Sequence, residues 1–179
     1  MSGTVKILPY YTYEDYVQWE GKWELIEGIP YAMSPAPIPK HQLIANTLGA
    51  LFYFSLKNCK HCKVYQAIDY KISEDTILQP DVSVLCKEIK KKFIDFPPSL
   101  VTEILSPSTA LKDRHTKHNL YKQQGIPYYL IISPDAEEAE INVLEEGEYV
   151  LKQKGSNINY TFQFDGDCFA TIDFSELWK

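Results

Sequence analysis

Gln79-Pro-Asp-Val-Ser-Val-Leu85 and Ser99-Leu-Val-Thr-Glu-Ile-Leu105 decide the reading of this 179-residue chain. Each is an apolar run of strand length that carries a single acid, Asp81 in the first and Glu103 in the second. Burying an ionised carboxylate without a partner is costly, so two such acids call for something that offsets their charge. Side chains at i and i+2 of a strand share a face. Asp81 therefore sides with Ser83, and Glu103 with Val101 and Leu105, while Val82, Val84, Thr102 and Ile104 take the opposite faces. If the two strands are neighbours, both carboxylates converge across one gap. That arrangement suits an oxygen-ligated divalent cation such as Mg²⁺, which takes only one or two protein carboxylates and keeps several waters. Such an ion polarises phosphate oxygens and activates water, the chemistry of phosphodiester hydrolysis.

The segment after Glu103 adds a second oddity. Ser106-Pro-Ser-Thr109 stops a strand and opens a helix over residues 110–124, closed by Gly125. On that helix Asp113, Lys117, Leu120, Tyr121 and Gln124 fall on one stripe, so the face with the best apolar residues also carries an acid and a lysine. Lys117 on this face can reach back toward the strand end, to position water or to stabilise phosphate. A surface Asp113–Lys117 pair, worth only about 0.3–0.5 kcal/mol, is the other reading.

Upstream, Thr12 opens a short helix running to Glu20, and residues 22–33 read as a hairpin about Glu27-Gly28. In that hairpin Glu24 shares a face with Ile26, opposite Trp23 and Leu25, in position to point inward. The proline-rich stretch 34–39 breaks regular structure, and a helix with a broad apolar stripe follows, ending near Asn58. His41 at its start reads as a capping or packing residue. Residues 63–72 and 77–86 are strands joined by a polar turn, with Pro80 at an edge or a strand start. Downstream, residues 128–133 read as a strand covered on both faces, 140–144 and 149–154 as a hairpin, 160–164 as one more strand, and 173–178 as a short helix. The order gives one α/β domain over residues 1–179, an α+β arrangement with a mixed central sheet.

A 45% hydrophobic content supports a folded core, and the amino terminus lacks a leader pattern, so a cytoplasmic protein with no membrane segment is expected. A net charge of −6 argues against broad charge-driven nucleic-acid binding. Lysines cluster locally, however, at residues 87–92 and on the helix after Glu103. Four cysteines without an export signal are expected as free thiols. Cys59-Lys-His-Cys62 has the spacing of half a zinc site, but no second pair follows at a useful distance in the sequence.

Taken together, Trp23-Glu-Leu-Ile-Glu-Gly28, Met33-Ser-Pro35, His41, Gln79-Pro-Asp-Val-Ser83, Val101-Thr-Glu-Ile-Leu-Ser-Pro-Ser-Thr109, Asp113, Lys117, Tyr121 and Gly125 resemble the Uma2, or DUF820, family of the PD-(D/E)XK nuclease superfamily. The resemblance covers roughly residues 12–132. It implies a restriction-endonuclease-like core with flanking helices and extra C-terminal β-hairpins. It also implies a Mg²⁺- or Mn²⁺-dependent endonuclease acting on nucleic acid, DNA by preference. Asp81 and Glu103 would be metal ligands with the Ile104 carbonyl as a third, Lys117 the catalytic lysine, and Glu24 and Asp113 its supports. Leu105 stands where the superfamily usually places its lysine, and Ile29 where an acid is expected after the Glu27-Gly28 turn. Two other classes stay open: a non-catalytic module that binds nucleic acid or a protein, and a two-carboxylate hydrolase of sugars that needs no metal. A double-strand cut by a one-site domain would require two copies, most simply a homodimer.

Overall fold

The computed structural model describes residues 8–33, 38–107 and 109–179. Ser108, in the stretch expected to open the second long helix, and most of the proline-rich connection, residues 34–37, lie outside the described residues. The short first helix α1 (Tyr13–Tyr16) is closed by a capping box in which Asp15 accepts from the Thr12 backbone N–H at 2.9 Å. It ends four residues earlier than the sequence suggests.

The expected first hairpin forms as β1 (Trp23–Ile26) and β2 (Ile29–Ala32). Glu27 and Gly28 between them both have positive φ, the backbone that a tight two-residue turn demands. Pro39 is not part of a linker: it is the first residue of α2 (Pro39–Ser55), where a missing N–H costs nothing.

The two long strands read over residues 63–72 and 77–86 are each broken in the middle. They become β3 (Lys63–Gln66), β4 (Tyr70–Ser73), β5 (Thr76–Leu78) and β6 (Val82–Leu85). Ala67 turns the first with φ 47°, and Gln79-Pro80-Asp81 turns the second, because proline cannot donate to a ladder. The pair thereby crosses from one sheet to another. β4 and β5 join the first hairpin in a four-stranded sheet of order β2-β1-β5-β4. β3 and β6 join β7 (Leu100–Ile104), β8 (Tyr128–Ser133), β9 (Glu138–Glu145) and β10 (Glu148–Gly155) in a six-stranded sheet of order β10-β9-β8-β7-β6-β3.

Only β7 and β8 run parallel; the other pairs in this sheet are antiparallel, which makes it mixed. The parallel crossover is the helix read over 110–124. It consists of α3 (Ala110–Lys112), a π-helical turn at Asp113–Lys117, and α4 (His118–Gln123). The β9–β10 hairpin extends the main sheet rather than standing apart from it. The separate C-terminal hairpin is β11 (Asn159–Gln163) with β12 (Phe169–Asp173), followed by a 3-10 turn at Phe174–Trp178 capped by Asp173.

The six-stranded sheet divides the core. On one face Val82, Val84, Leu100, Ile104, Leu130 and Ile132 pack with Ile44, Leu48 and Phe52 of α2 and with Phe162, Ile172 and Phe174. On the other face Val101, Leu85, Tyr129 and Ile131 pack with Ile26, Leu78, Tyr70 and Tyr121. Odd-numbered positions of β6 and β7 face this second side, and with them Glu103.

The cysteines depart from the free-thiol expectation. Cys59 bonds Cys168 across 109 residues and Cys62 bonds Cys86 across 24. Sequence spacing could not reveal this, since the pairing of β3 with β6 and the return of the C-terminal hairpin to α2 create the proximity. Among the described residues no helix is long and apolar enough to cross a membrane.

Candidate active site

A cleft of about 540 Å³ opens beside the ends of β6 and β7. Asp81, Glu103, Lys117, Glu24 and Asp113 all line it, together with Ile104, His41 and Lys112. The fold therefore brings all six residues singled out in the sequence into one place.

The sheet register explains the pairing of the two strand acids. β6 and β7 are direct neighbours with Val82 opposite Thr102 and Ser83 opposite Val101, so Asp81, one residue before β6, sits beside Glu103. The Asp81 N–H donates to the Thr102 carbonyl at 3.1 Å, and its carboxylate accepts from the Ile104 N–H at 2.7 Å. The Pro80 break thus fixes Asp81 at the mouth of the strand pair. Its side chain stays 20% exposed, while that of Glu103 is only 3% exposed.

Lys117 is the hub. Its ammonium lies 2.6 Å from Glu24, 2.9 Å from Glu103 and 3.5 Å from Asp113. The π-helical turn spans Asp113 to Lys117 and aims both side chains at the sheet, where each is 2% exposed. This is no surface pair. Tyr121, one turn further, donates to the second oxygen of Glu103 at 2.5 Å. Glu24 is fully buried: one oxygen accepts from the Gln79 N–H at 3.1 Å, which braces the turn that presents Asp81, and the other pairs with Lys112.

The electrostatics follow from burial and charge count. Burial pushes Glu24 up, but Lys117 and Lys112 outweigh it and hold its carboxyl below the ordinary range. For Glu103 the balance is reversed: burial, with Asp113, Asp81 and Glu24 nearby, outweighs Lys117 and raises the carboxyl well above its ordinary value. Burial likewise raises Asp113. Burial disfavours the charge of Lys117, yet Glu103, Glu24 and Asp113 more than offset this and keep the amine protonated. Four carboxyl groups face Lys117, Lys112 and His41 here, so the cleft holds more acids than cationic partners. Among the described residues the buried Asp113 Oδ1 has no hydrogen-bond partner, and the Lys117 ammonium lies 3.5 Å away.

Leu105 and Ile29, the two departures from the expected pattern, both lie off the lining of the cleft. Leu105 packs on the apolar cluster around Tyr121 and Ile131. Ile29 pairs with Ile26 at the start of β2 and does not line the cleft.

Three residues gain importance that the sequence did not give them. His41 lies 3.3 Å from Asp81. Burial opposes its charge, but Asp81 and the Ile104 backbone raise it above its ordinary value. Lys112, one of the basic residues on the helix after Glu103, pairs with Glu24, 88 residues away. Tyr121, which lies on the helical stripe and in the matching family segments, gains a specific role as the donor to Glu103. Conversely, the lysines at 87–92 do not line the cleft; Lys91 pairs with Asp95.

Comparison with known proteins gives concordant results. The family model Uma2, described as "Putative restriction endonuclease", matches residues 13–160. "Uncharacterized protein slr1290" of Synechocystis sp. (strain ATCC 27184 / PCC 6803 / Kazusa) is 32% identical over 154 residues, covering 77% of each chain. Among solved structures, a "putative nuclease belonging to DUF820" from Anabaena variabilis ATCC 29413 superposes with a TM-score of 0.73. That match covers 93% of this chain and 97% of the other at 16% identity, a likeness of fold. This chain is a member of the Uma2 family, built on a mixed α/β nuclease fold.

Proposed function

We propose that the cleft is the active site of a metal-dependent endonuclease that hydrolyses phosphodiester bonds of nucleic acid, with DNA as substrate and Mg²⁺ or Mn²⁺ as cofactor. The observation that carries this reading is the meeting of Asp81, Glu103 and Lys117 in one cleft. The donors fit a hard cation: carboxylate oxygens of Asp81 and Glu103 and the backbone carbonyl of Ile104, in an acid-rich cleft. When bound, the ion would supply Lewis-acid stabilisation of charge developing on the scissile phosphate.

The remaining work falls to the chain itself. Lys117 keeps its proton, so it acts as a fixed positive charge that orients a phosphate oxygen rather than as a base. Glu24 and Asp113 position that ammonium, and Glu24 also holds the Gln79 turn. Tyr121 fixes the rotamer of Glu103 through its hydroxyl. In this reading Leu105 needs no replacement by lysine, because the helix delivers the cation from the opposite direction. One cleft serves one strand, so a double-strand cut takes two copies, a homodimer of two-fold symmetry being the simplest arrangement.

Cleavage of plasmid DNA, single-stranded DNA and RNA with Mg²⁺ or Mn²⁺ tests the reading. Asp81→Ala and Glu103→Ala are each expected to lower the rate by ~100-fold or more, and EDTA to abolish it. Cleavage that persists in both variants sinks the assignment. Retained binding without cleavage in the unmodified chain would favour a non-catalytic module, and metal-independent hydrolysis of sugars the two-carboxylate alternative.

A further inference from the structure

A second cluster of ligand-type side chains lies in the core on the α2 side of the sheet. Cys59, His61 and Cys62 occupy the turn between α2 and β3, and Cys168 directly precedes β12. Their sulfur atoms and one imidazole nitrogen all lie within 4.8 Å of one another. The His61 Nε2 atom is 3.5 Å from the Cys168 sulfur. Cys62 and Cys168 are buried, Cys59 is half-buried and His61 is at the rim. Cys-x-x-Cys is the spacing of half a zinc site, and the fold supplies what the sequence lacked by folding Cys168 back onto it.

We propose that in the reduced chain this cluster is a structural zinc site, ligated by the thiolates of Cys59, Cys62 and Cys168 and by His61. Three sulfurs and one nitrogen form a donor set of closed tetrahedral Zn²⁺ sites, where ligand atoms stand roughly 3.8 Å apart. On reduction the bonded sulfurs of Cys59 and Cys168 part to that spacing, while the widest separations in the cluster close by about 1 Å. The disulfides of Cys59 with Cys168 and of Cys62 with Cys86 are then the oxidised form of the same tether. Reduction by a dithiol delivers two electrons and two protons to each bond, and the reductant leaves as its own disulfide. Zinc binding releases the three protons of Cys59, Cys62 and Cys168 to solvent, while Cys86 remains a buried neutral thiol. In both forms the C-terminal hairpin is clipped to the turn after α2, by sulfur bonds in an oxidising compartment and by zinc in a reducing one. This site offers soft sulfur donors, unlike the carboxylate cleft, and does not depend on any activity there.

The full chain, purified under reductant without chelator, tests this by elemental analysis. About one zinc per chain is expected, with Cys168→Ser reduced to background and Cys86→Ser unchanged. Co²⁺ substitution of the unmodified chain gives a readout that needs no variant: thiolate-to-cobalt charge transfer and the strong d–d bands of a tetrahedral ion. Diamide should expel the zinc as both disulfides form, read by mass after alkylation. A reduced chain that takes up no zinc, a cobalt spectrum without thiolate bands, or full zinc retention in Cys168→Ser overturns the proposal. Loss of zinc in Cys86→Ser overturns the assigned donor set and puts Cys86 in place of His61.

Discussion

The two ends of β6 carry opposite kinds of polar cluster. Asp81, before Val82, belongs to a group of carboxylates gathered around Lys117; Cys86, after Leu85, belongs to a group of sulfurs that carry no charge when bonded. Both groups are assembled from segments far apart in sequence, and both are largely buried. They differ in what holds them. The carboxylate cluster depends on mutual compensation, because each buried charge is tolerable only while its partners are present. The sulfur cluster is covalently closed and can lose its bonds without leaving a charge in the core. The charged end therefore cannot be altered one member at a time, and it lines the cleft proposed as the active site. The sulfur end contributes tethering.

Breaking the hub of the charged end should give the largest effect. Lys117→Met leaves Glu24, Glu103 and Asp113 buried without their shared cation, and a loss of about 3–5 kcal/mol is expected in urea unfolding at pH 7. A loss under ~1 kcal/mol would show that the acids are solvated and the cluster is not self-compensating. Glu103→Gln in the Lys117→Met background should recover part of the loss, since it removes one of the buried acids left without a cation.

Next in size is Tyr121→Phe, which strips a hydroxyl from a buried carboxylate. It should cost about 1.5–3 kcal/mol and also slow cleavage, because Glu103 loses the bond that fixes its rotamer. Equal stability of the two proteins would remove Tyr121 from the network.

The smallest effect belongs to a pair on the same π-helical turn that faces outward. Arg114 holds Glu140 of β9 through two bonds of 3.0 and 2.8 Å, with the arginine 38% exposed. Solvent screening keeps this pair near ~1 kcal/mol, the expected cost of Arg114→Met at pH 7. The pH dependence has a definite sign. Arg114 comes first among the causes that hold Glu140 below its ordinary value of 4.5, so the pair stabilises the folded chain above that pH. The stabilisation is lost as pH falls through the depressed value. The stability gap between Arg114→Met and the unmodified chain should accordingly close in acid; a gap that persists there would mean that packing, not charge, sets it.

Much of this arrangement could be read in the residues. The alternation along Val82–Leu85 and Leu100–Ile104 placed Asp81 and Glu103 on matching faces, and the helical stripe put Asp113, Lys117 and Tyr121 on one side. Strand breaks were harder to see. Ala67 adopts a left-handed conformation that nothing in its side chain requests, and Pro80 fits a strand start as well as a corner between sheets. β12 went unread although Phe169, Ala170, Thr171 and Ile172 alternate exposed and buried, because the segment is short and follows an Asp-Gly-Asp turn.

The sequence by itself determined which residues had to find partners: lone acids in apolar runs and a lysine on an apolar helix face. Those demands are local, because desolvation acts on each side chain in its own segment. Only the tertiary structure decided who the partners are. Lys112 meets Glu24, His41 meets Asp81 and Cys168 meets Cys59 across separations that only sheet order and the C-terminal return can close.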